Sequence, residues 1–158
     1  MTEIERIAKA AEALVTKHAT RNPFEIADAE GISVRACPDF QKLKGMYKVI
    51  LKRRFIFLNG NLSRREAAIV LAHELGHDAL HRDMAENSIV QDEFILDMTL
   101  KPEYEANLFA ASLLYSDERV LSLLRKGKSA QDIARLEKGS LELVELKISI
   151  LEKTGKLV

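Results

Sequence analysis

Along the first nineteen residues, Ile4, Ile7, Ala8, Ala11, Leu14 and Val15 recur at helical spacing on one face, which predicts a helix over about Glu3–Ala19. Thr2 with Glu5 opens it as a capping box, and Asn22-Pro23 starts a short second helix that Gly31 ends. The period then changes. Ile32–Ala36, Met46–Leu51 and Arg54–Leu58 are rich in Val, Ile and aromatic residues and read as strands, the last two as a hairpin. Ser63 with Glu66 caps a helix over Arg64–His81, broken by neither Pro nor Gly except at Gly76, with Ala67, Val70, Leu71 and Leu75 as its apolar stripe. An irregular acidic stretch, about Arg82–Lys101, precedes a helix from Pro102 to Leu114. Three shorter helices start near Asp117, Ala130 and Leu141, with Gly127 and Gly139 marking the breaks. The pattern predicts an α+β domain: helices around a small antiparallel three-stranded sheet. Residues 1–116 form its core and 117–158 a helical, helix-turn-helix-like C-terminal segment packed on it as one unit.

Composition narrows the class. With 158 residues and 47% hydrophobic content the chain can bury a single core. Lys+Arg and Asp+Glu each total 24, so no global affinity for polyanions follows. Residues 61–118 nevertheless hold four basic and twelve acidic side chains, partly the expected surround of a cation. The single cysteine, Cys37, rules out an internal disulfide and suits a reducing compartment, where it packs as a small apolar residue. With no membrane-length apolar run and no signal-peptide core, the expected location is the cytoplasm.

The chemistry concentrates at His73-Glu74-Leu75-Gly76-His77. Two histidines four apart on a helix point the same way and can grip one metal ion, usually zinc. Glu74 can lean toward a metal-bound water as general base, the H-E-x-x-H arrangement of zincin peptidases. Inert, hydrogen-bonded histidines are the plainer reading, but the motif lies on the kind of helix its chemistry requires.

A catalytic zinc needs a third protein ligand. His81 lies eight residues, about 12 Å, along the helix from His73, too far to share its ion, and is expected to support the site or the fold. His18 could arrive only through tertiary folding. A carboxylate from the helix beginning at Pro102 is the better candidate. Glu103 and Asn107 share a face, so Asn107 could steady a histidine while Glu103 binds metal. Glu105 points about 200° away from Glu103, so only one of the two can face the ion; Glu103 is preferred and Glu105 is the alternative.

The motif followed by Leu80-His81, then Glu103-Tyr104-Glu105-Ala106-Asn107 and Phe109-Ala110-Ala111-Ser112-Leu113-Leu114, resembles the ImmA/IrrE family of metallopeptidases. Asn22-Pro23-Phe24-Glu25-Ile26-Ala27 leading to Gly31-Ile32, the strand ending Phe57-Leu58-Asn59 and the helical tail extend the likeness over most of the chain. The resemblance implies a gluzincin-like fold with zinc held by two His and one Glu. It also implies a substrate class, helix-turn-helix repressors whose cleavage switches on mobile-element or stress genes. Tyr115-Ser116 departs from the Met-Pro usual in the family, which bears on substrate preference rather than on ligation.

Tyr47, Tyr104, Tyr115 and Arg82 are candidates for stabilising an oxyanion, each also readable as packing or surface. Two rival functions use the same sequence. A DNA-binding regulator would use Arg119, Arg125, Lys126, Lys128, Arg135, Lys138, Lys147, Lys153 and Lys156 on phosphates, but interleaved acids favour packing and make nucleic acid an unexpected direct ligand. A metal-containing antirepressor would sequester its partner without cutting it.

Overall fold

Helix α1 (Glu3–His18) starts where Thr2 and Glu5 exchange capping hydrogen bonds and stops where Ala19 turns left-handed (φ 56°). Asn22 accepts from Phe24 N to start α2 (Pro23–Ala29), and Gly31, at φ 76°, releases the chain into the sheet. The computed structural model describes the whole chain except residues 88–89 and 93–99, with residues 87 and 90–92 described through their backbone alone.

Strands β1 (Ser33–Cys37), β2 (Gly45–Ile50) and β3 (Arg53–Asn59) lie within a residue or two of the predicted segments. The sheet corrects the expectation in two ways. It has four strands in the order β1-β3-β2-β4, the last being Val90–Asp92, and it is mixed, because β1 runs parallel to β3. The cause is the connection at residues 38–44. It carries the chain from the end of β1 to the start of β2 at the same end of the sheet and leaves one slot open between them. The Leu51-Lys52 turn (φ 50° and 66°) then folds β3 back into that slot, antiparallel to β2 and therefore parallel to β1. Asparagines hold the connection: Asn59 Nδ2 donates to the carbonyls of Gln41 and Leu43, and Asn61 Nδ2 donates to that of Pro38.

Helix α3 (Arg64–Leu80) begins at Ser63, whose Oγ accepts from Glu66 N. The capping box expected there is incomplete, since the Glu66 carboxylate accepts from the Ser63 hydroxyl instead of the backbone. The stretch read as irregular holds a short helix, α4 (Arg82–Asn87), which restarts after His81 because Met84 N and Ala85 N both donate to His81 O and Ala85 is fully buried. Residues 93–99 of that stretch lie outside the described residues. Helix α5 (Lys101–Leu114) packs across α3, with Ala106, Leu108, Phe109, Ala110, Ala111 and Leu113 in the core.

The tail forms α6 (Asp117–Arg125), α7 (Ala130–Leu136) and α8 (Leu141–Lys153), each capped by a serine: Ser116, Ser129 and Ser140. Helix α8 buries Leu143, Val144, Ile150 and Leu151 against the core and packs on α5 and α1. Several of the side chains considered for phosphate contact are engaged within the protein. Lys147 is buried, Arg119 pairs with Glu137, Arg135 with Asp132 and Lys156 with Asp117. No helix among the described residues is long and apolar enough to cross a membrane.

The approach of α5 to α3 is fixed at Gly76. A Cβ there would lie 3.0 Å from both Cα and O of Ala106 and 3.2 Å from Phe109 Cβ. Backbone at that distance yields only if the helices separate. Gly76→Ala is expected to destabilise the fold by about 1–3 kcal/mol, read as a lower urea midpoint at unchanged slope; an unchanged midpoint would show the contact to be slack.

Candidate metal centre

Helical spacing puts His73 and His77 on the inner face of α3, and both are fully buried. The first turn of α5 brings Glu103 to them: His73 Nε2 lies 2.9 Å from Glu103 Oε2, and His77 Nε2 lies 3.2 Å from Glu103 Oε1. All three donor atoms fall within 4.8 Å of one another. Donors bound tetrahedrally at about 2.0–2.1 Å from one zinc stand roughly 3.3 Å apart, so two imidazoles and a carboxylate at this spacing suit such an ion. The structure therefore brings together His73, His77 and Glu103, and puts Glu105 elsewhere.

Each histidine is oriented from behind by a different partner. His73 Nδ1 shares a 2.8 Å hydrogen bond with Asn107 Oδ1. The amide oxygen can only accept, so Nδ1 carries the proton and Nε2 presents its lone pair to the cluster. His77 Nδ1 lies 2.9 Å from His81 Nδ1, and His81 Nε2 lies 3.0 Å from Glu105 Oε1. With His81 donating from Nε2 to the carboxylate, its Nδ1 accepts from His77, which again leaves His77 Nε2 basic toward the ion. Burial holds the His81 pKa below the ordinary histidine value although Glu105 draws it upward, so the neutral ring this chain requires is the favoured one near pH 7. His81 and Glu105 thus form a supporting chain, and His18 stands apart, 2.6 Å from Glu30.

Glu74 follows His73 and is buried, its carboxylate against the backbone of β2. A Cβ on Gly45 would come within 2.9 Å of Glu74 Oε1 and 2.7 Å of Val70 Cγ1, so the strand can lie this close only where it has no side chain. Nothing in the sequence pattern marks Gly45, because its neighbour becomes visible only once the sheet is assembled on α3.

Asp78, directly after the motif, also escapes sequence reasoning. Its carboxylate accepts from Tyr47 (2.6 Å, from β2), Arg54 (2.8 Å, from β3) and Arg82 (3.2 Å), while Arg54 also bonds the carbonyl of Glu30. Burial, with the Asp78 charge beside it, pushes the Tyr47 phenol well above its usual range. Three oxyanion candidates are therefore committed to other partners: Tyr47 and Arg82 to Asp78, and Tyr115 to Ser140 N at 3.1 Å. Tyr104 packs against the core. Cys37, a free cysteine at the end of β1, is half-buried.

Residues 27–149 match the model of a peptidase family described as the IrrE N-terminal-like domain, and the chain belongs to that family. It is 34% identical over 141 residues to uncharacterized immunity region protein 2 of Bacillus phage phi105, covering 89% of this chain and 88% of that one. It is 29% identical over 127 residues to metallopeptidase ImmA of Bacillus subtilis (strain 168), covering 78% of this chain and 72% of the relative.

Because His81 touches a candidate ligand and not the donor cluster itself, its loss should weaken metal binding without abolishing it. His81→Ala is expected to lower zinc affinity about 10- to 100-fold, measured by competition with a chromogenic chelator, at a stoichiometry still near one. Affinity equal to that of the unaltered chain would reduce the His81–Glu105 pair to packing.

Proposed function

We propose that this metallopeptidase-family chain is a zinc-dependent endopeptidase of the cytoplasm whose substrate is a helix-turn-helix repressor, cut to relieve repression in a mobile-element or stress response. His73, His77 and Glu103 hold the zinc, and Glu74 is the general base. The observation that carries this reading is the convergence of three donors from two helices, with a buried carboxylate following the first of them in sequence.

Zinc bound there would polarise the scissile carbonyl and lower the pKa of its water toward neutrality. The protein's own part is positional. Asn107 and the His81–Glu105 pair keep both Nε2 atoms free of protons. Glu74, pressed against Gly45, takes the proton of the attacking water and passes it to the leaving amine. The substrate class is supported by context. One relative is by name an immunity-region protein of a phage and another a metallopeptidase. The engagement of Lys147, Arg119, Arg135 and Lys156 within the protein weighs against DNA as the ligand of the tail.

Glu74→Gln keeps the shape and removes the base. It is expected to retain one zinc while lowering cleavage of a cognate repressor, such as a small helix-turn-helix protein encoded beside this chain, by about 10²- to 10⁴-fold. His77→Ala should lose the metal as well. Cleavage at the unaltered rate by Glu74→Gln would overturn the assigned role. Undiminished derepression in cells by an inactive variant would show that the chain acts by sequestration.

A further inference from the structure

At the opposite end of α5 from Glu103, α1, α5, α6 and α8 line a cavity of about 340 Å³ that opens to solvent. Ser112, in the last turn of α5, reaches it. Nine residues separate Ser112 from Glu103, about 13 Å along the helix. Ser112 is fully buried, and its Oγ has no hydrogen-bond partner among the described residues. From α8 comes Lys147, 1% exposed, whose Nζ lies 2.5 Å from Asp117 Oδ1. Lys156 Nζ lies 2.5 Å from the other oxygen of the same carboxylate.

The charged side chains lining the cavity balance, Glu5, Glu12 and Asp117 against Lys9, Lys147 and Lys156, but they are not paired one to one. Glu12 is held by Arg21 at 2.7 Å while its charge also reaches Lys147 and Lys156, and Glu5 faces Lys9 one turn along α1. At hydrogen-bond distance Lys147 and Lys156 share Asp117, two ammonium groups on one carboxylate. A clasp between α6 and α8 would need only one of these lysines. Nor would it explain the serine. Ser112 follows Ala110-Ala111 in a buried run, and an unsatisfied hydroxyl there costs free energy that a third alanine would avoid.

We propose that this cavity is a ligand site, separate from the metal centre, for a small molecule bearing one anionic group, a carboxylate or a phosphate. The anion takes the remaining N–H donors of Lys147 and Lys156 and the Ser112 hydroxyl, and Ala8 and Ile150 meet the ligand's apolar part. Burial pushes the Lys147 amine below its ordinary pKa even beside Asp117, and an anion against it would reverse that loss.

The zinc-loaded chain, titrated at constant ionic strength with inorganic phosphate and separately with acetate, tests this by amide NMR. Saturable shifts at Ser112, Lys147 and Lys156 are expected from at least one of the two, and which one binds tells phosphate from carboxylate. Ser112→Ala removes a buried unsatisfied hydroxyl and Lys156→Gln alters a half-exposed side chain, so both variants should fold and keep their zinc. Each is expected to weaken binding about five- to tenfold. The proposal is overturned if no shift saturates, if shifts are confined to His73 and His77, where phosphate would be meeting the metal, or if Ser112→Ala binds as well as the parent.

Discussion

Two histidines on one helix face a common point whatever the rest of the fold does, but a third donor must be delivered by another element. Here the delivery depends on how closely α5 crosses α3. Gly76 lies between the two histidines, and its missing side chain lets the backbone of Ala106 come within contact of α3. Ala106 in turn lies between Glu103 and Asn107, so the contact that sets the helix separation also sets the reach of Glu103, the candidate third donor, and of the amide behind His73. A larger residue at either small position would move several polar partners at once. The motif's glycine is therefore part of the site's geometry although it carries no chemistry of its own.

Helix α3 must also sit correctly on the sheet, and Asp78 fixes that relation. One carboxylate accepts from residues of β2 and β3 and from the helix's own following turn, which pins both the height and the rotation of α3. A buried carboxylate is expensive unless paired and hydrogen-bonded, and this one has two arginines and a phenol. The sheet order contributes as well. Folding β3 into the slot beside β1 leaves β2 next to Glu74, and β2 meets it with Gly45, the one glycine of that strand. The mixed sheet thus bears directly on the candidate general base.

What could be read beforehand divides along local and non-local lines. The helices other than α4, the Thr2–Glu5 cap and the His73–His77 pair were legible because each rests on spacing within a few residues. Glu103 could be preferred over Glu105 because Asn107 shares its face. The parallel β1–β3 pairing was not legible, since a three-strand pattern is silent on which slot the middle strand takes. Leu51-Lys52 gave no turn signal, for neither residue is one that usually accepts a left-handed conformation. Gly45, Asp78 and the buried Lys147 looked like ordinary strand and surface residues because their partners are dozens of positions away. Tyr115 was weighed as an oxyanion donor and turns out to steady the α7–α8 turn, where Gly139 leaves room for its ring.

The supporting hydrogen bonds give the centre a structural consequence beyond catalysis. His73, His77 and His81 recur every four residues on α3, and Glu103, Glu105 and Asn107 are all drawn from the first two turns of α5. The contacts His73–Asn107, His73–Glu103, His77–Glu103 and His81–Glu105 therefore cross from one of these helices to the other, and His77–His81 runs along α3 and its cap. A metal held at this point would clasp the two helices that pack most extensively on each other, and it would bind the folded pair far better than the separate segments. Ligation and folding then become linked, because an ion with no preformed site in the unfolded chain adds its binding free energy to stability. The same linkage would account for buried imidazoles and carboxylates at the centre of the fold: an ion there would complete the coordination that the surrounding helices have already oriented.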